Sequence, residues 1–461
     1  MENSRSRRWP RRVLGAIAIV ILIGVSVVYG ILVQSRHLFP YSLLKHGFQT
    51  AAPRRIAHHL LPGKAVDPPP DSVQKLVHFP YLRGYKSPTE GGGPIRVYDK
   101  ALAEDGLNFF SSGHAPAAVL MDMDGKILKT WTVDVSKAFA GVVLEDKKPD
   151  RDKILRRAHL FPDGGIVAMF EDYGLVRLDP RSNVLWTWRA LTHHDFFVAE
   201  NGEMWAIFHE KRVVPELHRE DAVWDDSIAE ISPDGKLVKR FSLIECFARS
   251  RYAPLLLNTD PRDDDVFHTN SVVVLDGSLA DRWSAFRRGN VLVSIKRINT
   301  VAVVDAESGQ VVWALNGQWY GQHSARLSAK AHLLLFDNLG SMRRASRVLE
   351  IDPLTQELLW SYGAREGQSL ISEIIGFVER LPRGNTLIAE TNYGRVIEVT
   401  PDSRIAWEFV NPFRIPKKNE PGKELVAVVY FMERVARSQS FLSSTGGPPP
   451  LETPASGSPG R

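Results

Sequence analysis

Apolar and polar residues alternate along most of the chain, in pairs of short segments that flank turn-forming residues. Such pairs around Asp-Gly, Asn-Gly or Gly-Asn predict antiparallel β-hairpins. The first hairpin of a repeating unit is predicted at 159–170, 193–208, 268–296, 322–337 and 376–390. A second hairpin follows each of these, in LVRLDPRSNVLWTW, IAEISPDGKLVKRF, VAVVDAESGQVVWAL, RVLEIDPLTQELLWSY and VIEVTPDSRIAWEF. An earlier segment, AVLMDMDGKILKTW at 118–131, matches the second hairpin alone.

Two hairpins per unit predict a four-stranded sheet, and units repeating every 35–75 residues or so are typical of β-propeller blades with loop insertions. Six units can be counted, so the sequence predicts an all-β, six-bladed propeller over residues 82–437. The apolar segment 424–435 is predicted to close the ring beside the 118–131 unit. Tryptophans recur at one place in the unit and are interpreted as packing between blades: Trp131, Trp188, Trp313, Trp360 and Trp407.

The apolar run at 13–33 contains no charged residue and has the length that a transmembrane helix needs. Five arginines precede it within residues 1–12, which places the N-terminus in the cytoplasm. We therefore expect a single-pass anchor in the inner (plasma) membrane and a periplasmic or extracytoplasmic propeller. Residues 34–80 are predicted to be a stalk, and residues 438–461, rich in Pro, Gly and Ser, a disordered tail.

The formal net charge of +5 comes partly from the arginines at the N-terminus. Dense Lys/Arg stripes with interleaved aromatic residues are missing from the rest of the sequence, so nucleic acid is not an expected partner. The sequence has one cysteine, Cys246, which excludes an intramolecular disulfide and a cysteine-rich metal site. Nothing in the sequence defines the oligomeric state.

Four histidines share one position in the repeat, namely the predicted start of the first strand of a unit: His159, His194, His268 and His323. The first strand of each blade lines the central channel, so these imidazoles are predicted to meet at one mouth of the ring. Polar residues accompany them at Asp195, Asp265, Asn270 and Gln322. His193 adjoins His194 and could exchange roles with it.

Imidazole serves as a nucleophile, a general base or a metal ligand. A nucleophile that attacks an anionic group also needs a cation to hold that group, and Arg343, Arg344 and Arg347 follow the strand of His323 closely. The acidic run 263–265 is interpreted as a solvated loop, with calcium binding or support of a metal site as alternatives. No cofactor is otherwise expected.

Several segments together resemble the bacterial arylsulfotransferase family over about residues 155–410: DVFHTNSV, VLVSIKRINTVAVVDAESGQVVW, GQHSARL, LFDN…ASRVLEID and RLPRGNTLIAE. The resemblance implies a six-bladed propeller outside the cytoplasm. It also implies transfer of a sulfuryl group from a phenolic sulfate ester to another phenol through a sulfated histidine, without a nucleotide donor. By motif, His268 and His323 correspond to two active-site histidines of the family, and Arg343 or Arg344 corresponds to its arginine.

The family places its nucleophilic histidine in the following blade, where this sequence reads GQSLISEIIGF and the last histidine is His332. Three alternatives remain open: His268 or His323 is the nucleophile, the chemistry has changed, or the fold is kept for binding.

The first hypothesis is sulfuryl transfer between phenolic compounds, with His323, His268 and His194 and an arginine as catalytic groups. Asn270, His159, Arg347 and Gln322 are then expected to bind the substrate. The second is a non-catalytic propeller that binds a ligand or protein at the cell envelope. Metal-dependent hydrolase or lyase chemistry is the third.

Overall fold

The computed structural model describes residues 83–84, 87, 92–142, 154–217, 220–340, 345–363, 365, 367–418 and 420–437. The predicted anchor at 13–33, the stalk at 34–80, the tail at 438–461 and the side chains of Arg343 and Arg344 lie outside these residues. Within the described part of the chain, no helix has the length and apolar character needed to cross a membrane.

The described residues form strands joined by short loops. In chain order the strands are β1 (Ile95–Tyr98), β2 (Leu107–Ser112), β3 (Ala117–Met121), β4 (Ile127–Thr132), β5 (Leu155–Leu160), β6 (Ile166–Phe170), β7 (Gly174–Leu178), β8 (Val184–Arg189), β9 (Thr192–Val198), β10 (Met204–Arg212), β11 (Val223–Ile231), β12 (Leu237–Ser242), β13 (Thr269–Val274), β14 (Val291–Ile295), β15 (Thr300–Asp305), β16 (Gln310–Asn316), β17 (His323–Leu327), β18 (Leu333–Asp337), β19 (Arg347–Ile351), β20 (Leu358–Tyr362), β21 (Phe377–Arg380), β22 (Thr386–Glu390), β23 (Arg395–Val399), β24 (Ile405–Val410), β25 (Arg414–Pro416), β26 (Glu424–Val426) and β27 (Val429–Val435). Two short helices accompany them, α1 (Val135–Ala138) and α2 (Leu243–Ala248).

Six antiparallel sheets make up the blades of a propeller, which confirms the predicted fold. Blade 1 is β27-β2-β3-β4, and blades 2 to 5 are β5–β8, β9–β12, β13–β16 and β17–β20. Blade 6 is β21–β24 with β1 added as a fifth strand at its outer edge. β25 and β26 form a separate two-stranded sheet before β27.

The C-terminal strand closes the ring, as the sequence predicted. β27 pairs with β2 from Leu107↔Val435 to Ser112↔Val429, so the first and last parts of the propeller share one blade. β27 gives blade 1 its fourth strand and covers the edge of β2 that would otherwise be unpaired.

The second strand of a blade is apolar on both faces because neighbouring blades cover both. Every residue of the second strands β2, β6, β14, β18 and β22 is buried. The outermost strands β8 and β12 are instead mostly partly or fully exposed. The core therefore lies between blades, as one apolar layer for each blade interface.

Tryptophans on the outer strands join one blade to the next. Trp131 donates its indole N–H to the carbonyl of Gly164 in blade 2 at 3.0 Å. Trp360 donates in the same way from blade 5 to Pro401 in blade 6 at 2.9 Å, and Trp407 from blade 6 to Met123 in blade 1 at 2.9 Å. Each bond contributes about 1 kcal/mol beyond the burial of the ring, and together they set the spacing of the blades.

Candidate functional site

The inner strands of four consecutive blades each have a residue in the left-handed backbone region close to the start of the strand. These residues are His194 (φ 62), His268 (φ 50), Ser324 (φ 54) and Ile375 (φ 60). Strand pairing is irregular beside three of them, in β9, β13 and β17. Such irregularities redirect side chains and cluster at functional sites. Here the irregularities turn the first residues of the inner strands toward the central channel.

Three of the predicted histidines meet at this end of the ring. The ring centroid of His194 lies 4.6 Å from that of His268 and 6.0 Å from that of His323. The three residues belong to blades 3, 4 and 5 and are spread over 130 positions of the sequence. Closure of the ring therefore brings together imidazoles that are remote in the chain.

His323 has a defined tautomer. Its Nδ1 lies 2.8 Å from Oδ1 of Asn338 and 3.1 Å from the carbonyl oxygen of Gly321, and both of these are acceptors. The Asn338 amide is oriented by donation of its Nδ2 to the carbonyls of Ser372 and Ile375. Nδ1 of His323 therefore carries the proton, and Nε2 keeps a lone pair.

Burial and then the nearby Lys296 lower the pKa of His323 well below its usual 6.5. The ring is neutral at physiological pH, which suits a nucleophile or a base. Burial, aided by Arg297, also lowers the pKa of Lys296 to about 8. Lys296 adds a buried cation beside the histidines.

His268 is oriented by a carboxylate, as a general base commonly is. Its Nδ1 donates to Oδ2 of Asp265, which leaves Nε2 as the free nitrogen. Burial lowers the pKa of His268 below its usual value although the Asp265 carboxylate opposes this. His268 and Arg297 hold the pKa of Asp265 below its usual value in spite of burial.

The acidic run at 263–265 is paired with cationic partners. Asp263 contacts Arg297 at 3.0 Å and Asp264 contacts Lys211 at 3.1 Å, while Asp265 faces His268. The run therefore serves to orient His268 and to fasten the loop before β13.

A small cavity of about 30 Å³ lies beside the rings. His194, Asn270, His323, Ser324 and Arg156 are among the residues that line it. It has room for about two water molecules, which suits a small anionic group better than a complete aryl ester.

Arg156 is the cation best placed for an anion in this cavity. Its Nε lies 3.5 Å from Oε1 of Glu171, and its buried Nη1 has no hydrogen-bond partner. The neighbouring Arg157 and Arg326 also line the cavity. Arg157 contacts two carboxylates, Asp195 at 3.3 Å and Glu433 at 2.5 Å, although its Nη1 is likewise buried without a partner, and Arg326 contacts Asp195 at 2.9 Å. The spare Arg156 N–H is therefore available to a bound anion.

Asn270 and Gln322 lie at the site with different roles. Asn270 donates its Nδ2 to the carbonyl of Gln322 at 2.7 Å, and its buried Oδ1 has no partner. The Gln322 side chain instead donates to Ser294, Ile295 and Thr300 in blade 4. Asn270 thus presents a free acceptor at the cavity, whereas Gln322 joins two blades.

His159 and Arg347 are placed away from the cavity, unlike the expectation from the sequence. His159 is near the end of β5, with its ring 4.8 Å from that of Phe161, because the strand begins at Leu155 rather than at His159. Arg347 donates to Asp337 and to the carbonyl of Gln318, both at 2.7 Å. At the channel end of β5 the structure has Arg156 instead of a histidine.

Sequence reasoning missed Arg156, Lys296 and Asn338. The signal for Arg156 was present in ILRRAHL, because counting a full strand back from the Pro-Asp-Gly turn places the arginines at the channel end. Lys296 follows β14 directly, at the same end of blade 4. Asn338 ends the LFDN segment that carries part of the family resemblance, but its contact with His323 depends on the pairing of β17 with β18.

Fold and site together define a six-bladed propeller with a histidine-lined central cavity. The sequence matches the family described as Arylsulfotransferase (ASST) over residues 157–412, more than half of its 461 residues. The chain belongs to the arylsulfotransferase family. No curated protein matches the sequence at a significant level.

Three solved structures are distantly similar. A protein of unknown function from Bacteroides caccae has 10% identity and a TM-score of 0.46, with 66% of this chain and 94% of that chain covered. A streptogramin B lyase has 12% identity and a TM-score of 0.39, with 72% and 87% covered. Virginiamycin B lyase from Staphylococcus aureus has 11% identity and a TM-score of 0.38, with 72% and 86% covered. No functional argument rests on these likenesses.

Proposed function

We propose that this protein transfers a sulfuryl group from a phenolic sulfate ester to a second phenol, with His323 as the nucleophile. The observation that carries this proposal is the fixed tautomer of His323: Nδ1–H is committed to Asn338, and a neutral Nε2 is free in the cavity that Arg156 also lines. Membership of the arylsulfotransferase family supports the reaction class.

In the first step, the Nε2 lone pair of His323 attacks the sulfur of the donor ester. The bond between sulfur and the aryl oxygen breaks, and the phenolate leaves with that electron pair and takes its proton from solvent. Arg156 stabilises the negative charge on the sulfuryl oxygens, as preorganised donors do in a buried site.

In the second step, the acceptor phenol attacks the sulfur while its proton passes to Nε2 of His268. The bond between sulfur and nitrogen breaks, and His323 regains its lone pair. Asp265 stabilises the imidazolium of His268 until the proton is released to solvent, which returns His268 to its neutral form. The step regenerates the enzyme without a nucleotide.

Binding without catalysis is the second candidate. The left-handed position at the start of the blade 6 inner strand is Ile375, followed by Gly376, and neither side chain is a nucleophile. Under this proposal the cavity holds a small anion or an anionic ligand at the cell envelope, and His323 is only a hydrogen-bonding group.

A single-turnover assay decides between the two. Full-length protein in detergent is mixed with 4-nitrophenyl sulfate, and phenol release is measured together with covalent labelling from a ³⁵S donor. We expect His323→Ala to lose release by about 10⁴-fold or more and to lose the label. His332→Ala, a histidine paired with Glu350 in blade 5, is the matched control. Equal release by His323→Ala and wild type would exclude this nucleophile.

The pH dependence of kcat/KM is an independent test of His323 as the nucleophile. Since His323 attacks only when neutral, kcat/KM for the donor rises with pH through the pKa of His323. That pKa lies well below 6.5, so we expect a flat profile from about pH 6.5 to 8 and an acid limb below it. A rise centred above pH 7 would contradict the assignment.

We also propose that residues 13–33 anchor the protein in the inner membrane, with the propeller on the extracytoplasmic side. The uncharged run and the arginines before it support this proposal. The substrates would then be phenolic compounds of the cell envelope or the medium.

A further inference from the structure

Blade 3 carries a second cluster of ligand-type side chains, next to the site but outside the cavity lining. His193 comes from β9, His209 from β10 and Asp226 from β11, three neighbouring strands of one sheet. His209 and Asp226 stand directly opposite each other in the pairing of β10 with β11. One ligand atom from each residue lies within 4.8 Å of the other two.

The closest pair in the cluster has the spacing of two metal ligands. Nε2 of His193 and Oδ1 of Asp226 are 3.2 Å apart, both atoms are buried, and neither has a hydrogen-bond partner. Zinc bonds of about 2.0–2.2 Å at a tetrahedral angle place two ligand atoms about 3.3–3.5 Å apart. The two atoms contact each other without the angles of a well-formed hydrogen bond, and an ion between them would satisfy both.

The surroundings hold the ligands in place. The His209 ring stacks between His193, at 4.6 Å between centroids, and Trp224, at 4.4 Å. Oδ2 of Asp226 accepts the backbone N–H of Thr269 at 2.6 Å. Such outer contacts fix the direction of metal ligands.

The local charge also favours a cation. Asp226 is fully buried, and Glu171 and Asp172 are buried nearby, with an oxygen of Asp172 3.7 Å from Nε2 of His209. Oε2 of Glu171 is buried without a partner. The nearest guanidinium contact in this group is that of Arg156 with Glu171 at 3.5 Å. A divalent ion would offset this surplus of buried carboxylates.

We propose that His193, His209 and Asp226 bind one divalent transition-metal ion, with zinc as the best match. Two imidazoles and one carboxylate are a ligand set that zinc accepts, and imidazole disfavours magnesium and calcium. The site was not expected from the sequence, because His209 lies outside the register of the four predicted histidines.

The ion has a consequence for the neighbouring site, which rests on the proposed function. With its Nε2 bound to the ion, His193 keeps its proton on Nδ1, which lies 2.9 Å from Nδ1 of His194. That nitrogen of His194 must accept, so the His194 proton is on Nε2. His194 then offers a donor to the sulfuryl oxygens, whereas His323 offers a lone pair.

The test measures metal binding directly. Full-length protein in detergent is stripped with chelator and titrated with Zn²⁺ by calorimetry and with Co²⁺ by visible absorption. We expect one ion per chain and ligand-field bands of bound Co²⁺. His209→Phe keeps the ring stack and Asp226→Asn keeps the Thr269 bond, yet each is expected to weaken binding by at least about 100-fold. His332→Phe is the matched control and should bind as wild type does.

Failure of this inference is distinguishable from failure of the proposed function. His323→Ala should retain full metal binding, because it lies outside the cluster, while losing transfer. A stripped wild-type protein that binds neither ion more tightly than about 100 µM, or His209→Phe and Asp226→Asn proteins that bind like wild type, would overturn the metal site. Thermal unfolding of each variant establishes that it is folded.

Discussion

At the residue scale, the chemistry of this site depends on which nitrogen of each imidazole carries a proton. Asn338 determines this for His323, and Asp265 determines it for His268. Burial keeps both rings neutral by lowering their pKa values. A histidine alone is therefore not the functional unit, since its partner decides whether it presents a lone pair or a donor.

The guanidinium of Arg156 gives a prediction at this scale. Arg156→Gln should lower kcat/KM for the donor ester by about 10²–10³-fold, because it removes one preorganised donor to the sulfuryl oxygens. The substitution should also raise the pKa of His323, which the charge of Arg156 lowers. The acid limb of the pH profile then moves to higher pH. Steady-state kinetics at several pH values measure both effects.

Two further variants complete the Arg156 experiment. Arg156→Lys keeps the charge but loses the fork of donors, so it should leave the acid limb in place while lowering the rate. Arg240→Gln removes an exposed pair with Glu210 and should behave as wild type. If Arg156→Gln leaves both rate and acid limb unchanged, Arg156 does not face the sulfuryl group.

At the element scale, two features make the site: the left-handed residues at the strand starts and the closing strand. A β-branched residue such as Ile375 at φ 60 is unfavourable in isolation. Its position is held by the blades on either side, so the strain is balanced by packing elsewhere. β27 supplies Tyr430 and Phe431 to the cavity wall, so closure of the ring also completes the site.

Phe431 of the closing strand gives a prediction at this scale. Its ring is buried against Phe109 at 5.8 Å and Phe377 at 6.3 Å, with the Arg157 guanidinium 4.8 Å from its centre. Phe431→Ala should lower the free energy of unfolding by about 3–5 kcal/mol, because it leaves a void where β27 meets blades 1 and 6. Urea unfolding of the full-length protein in detergent measures the loss.

The control for Phe431 is Leu359 in the outer strand β20. Its side chain is 40% exposed, so Leu359→Ala should change the free energy of unfolding by no more than about 0.5 kcal/mol. Equal stability of the two variants would mean that β27 contributes little to closure.

At the scale of the whole molecule, the propeller brings residues that are remote in the sequence together at one end of the ring. Each blade contributes residues of its inner strand to the same mouth, so all six blades line a single cavity.

The anchor gives the prediction at this scale. Full-length protein should stay with the membrane during extraction with alkaline carbonate, because about 21 apolar residues span the hydrocarbon core. Deletion of residues 1–33 should release the propeller into the soluble fraction. Protease added outside the inner membrane should degrade the propeller of the full-length protein. Release of the intact chain by carbonate, or an N-terminus cleaved after residue 33, would contradict an uncleaved anchor.

Much of this architecture could be predicted because it depends on local patterns in the sequence. Alternation around turn residues indicates each hairpin, and six units with a C-terminal closing strand follow from counting them. The convergence of His194, His268 and His323 was predicted from their equal position in the repeat. His159 was misplaced because it was taken as the first residue of the strand, whereas β5 begins four residues earlier, at Leu155, and strand boundaries are the least certain part of such a pattern.

Other parts depend on contacts between strands remote in the sequence. The sequence by itself determined the blades, their number and the polar residues at the inner strand starts, because hairpin periodicity is a local property of the chain. Only the tertiary structure decided that Arg156 lines the cavity, that Asn338 orients His323, and that His193, His209 and Asp226 converge. These depend on strand register and ring closure, which arise from the packing of all six blades together.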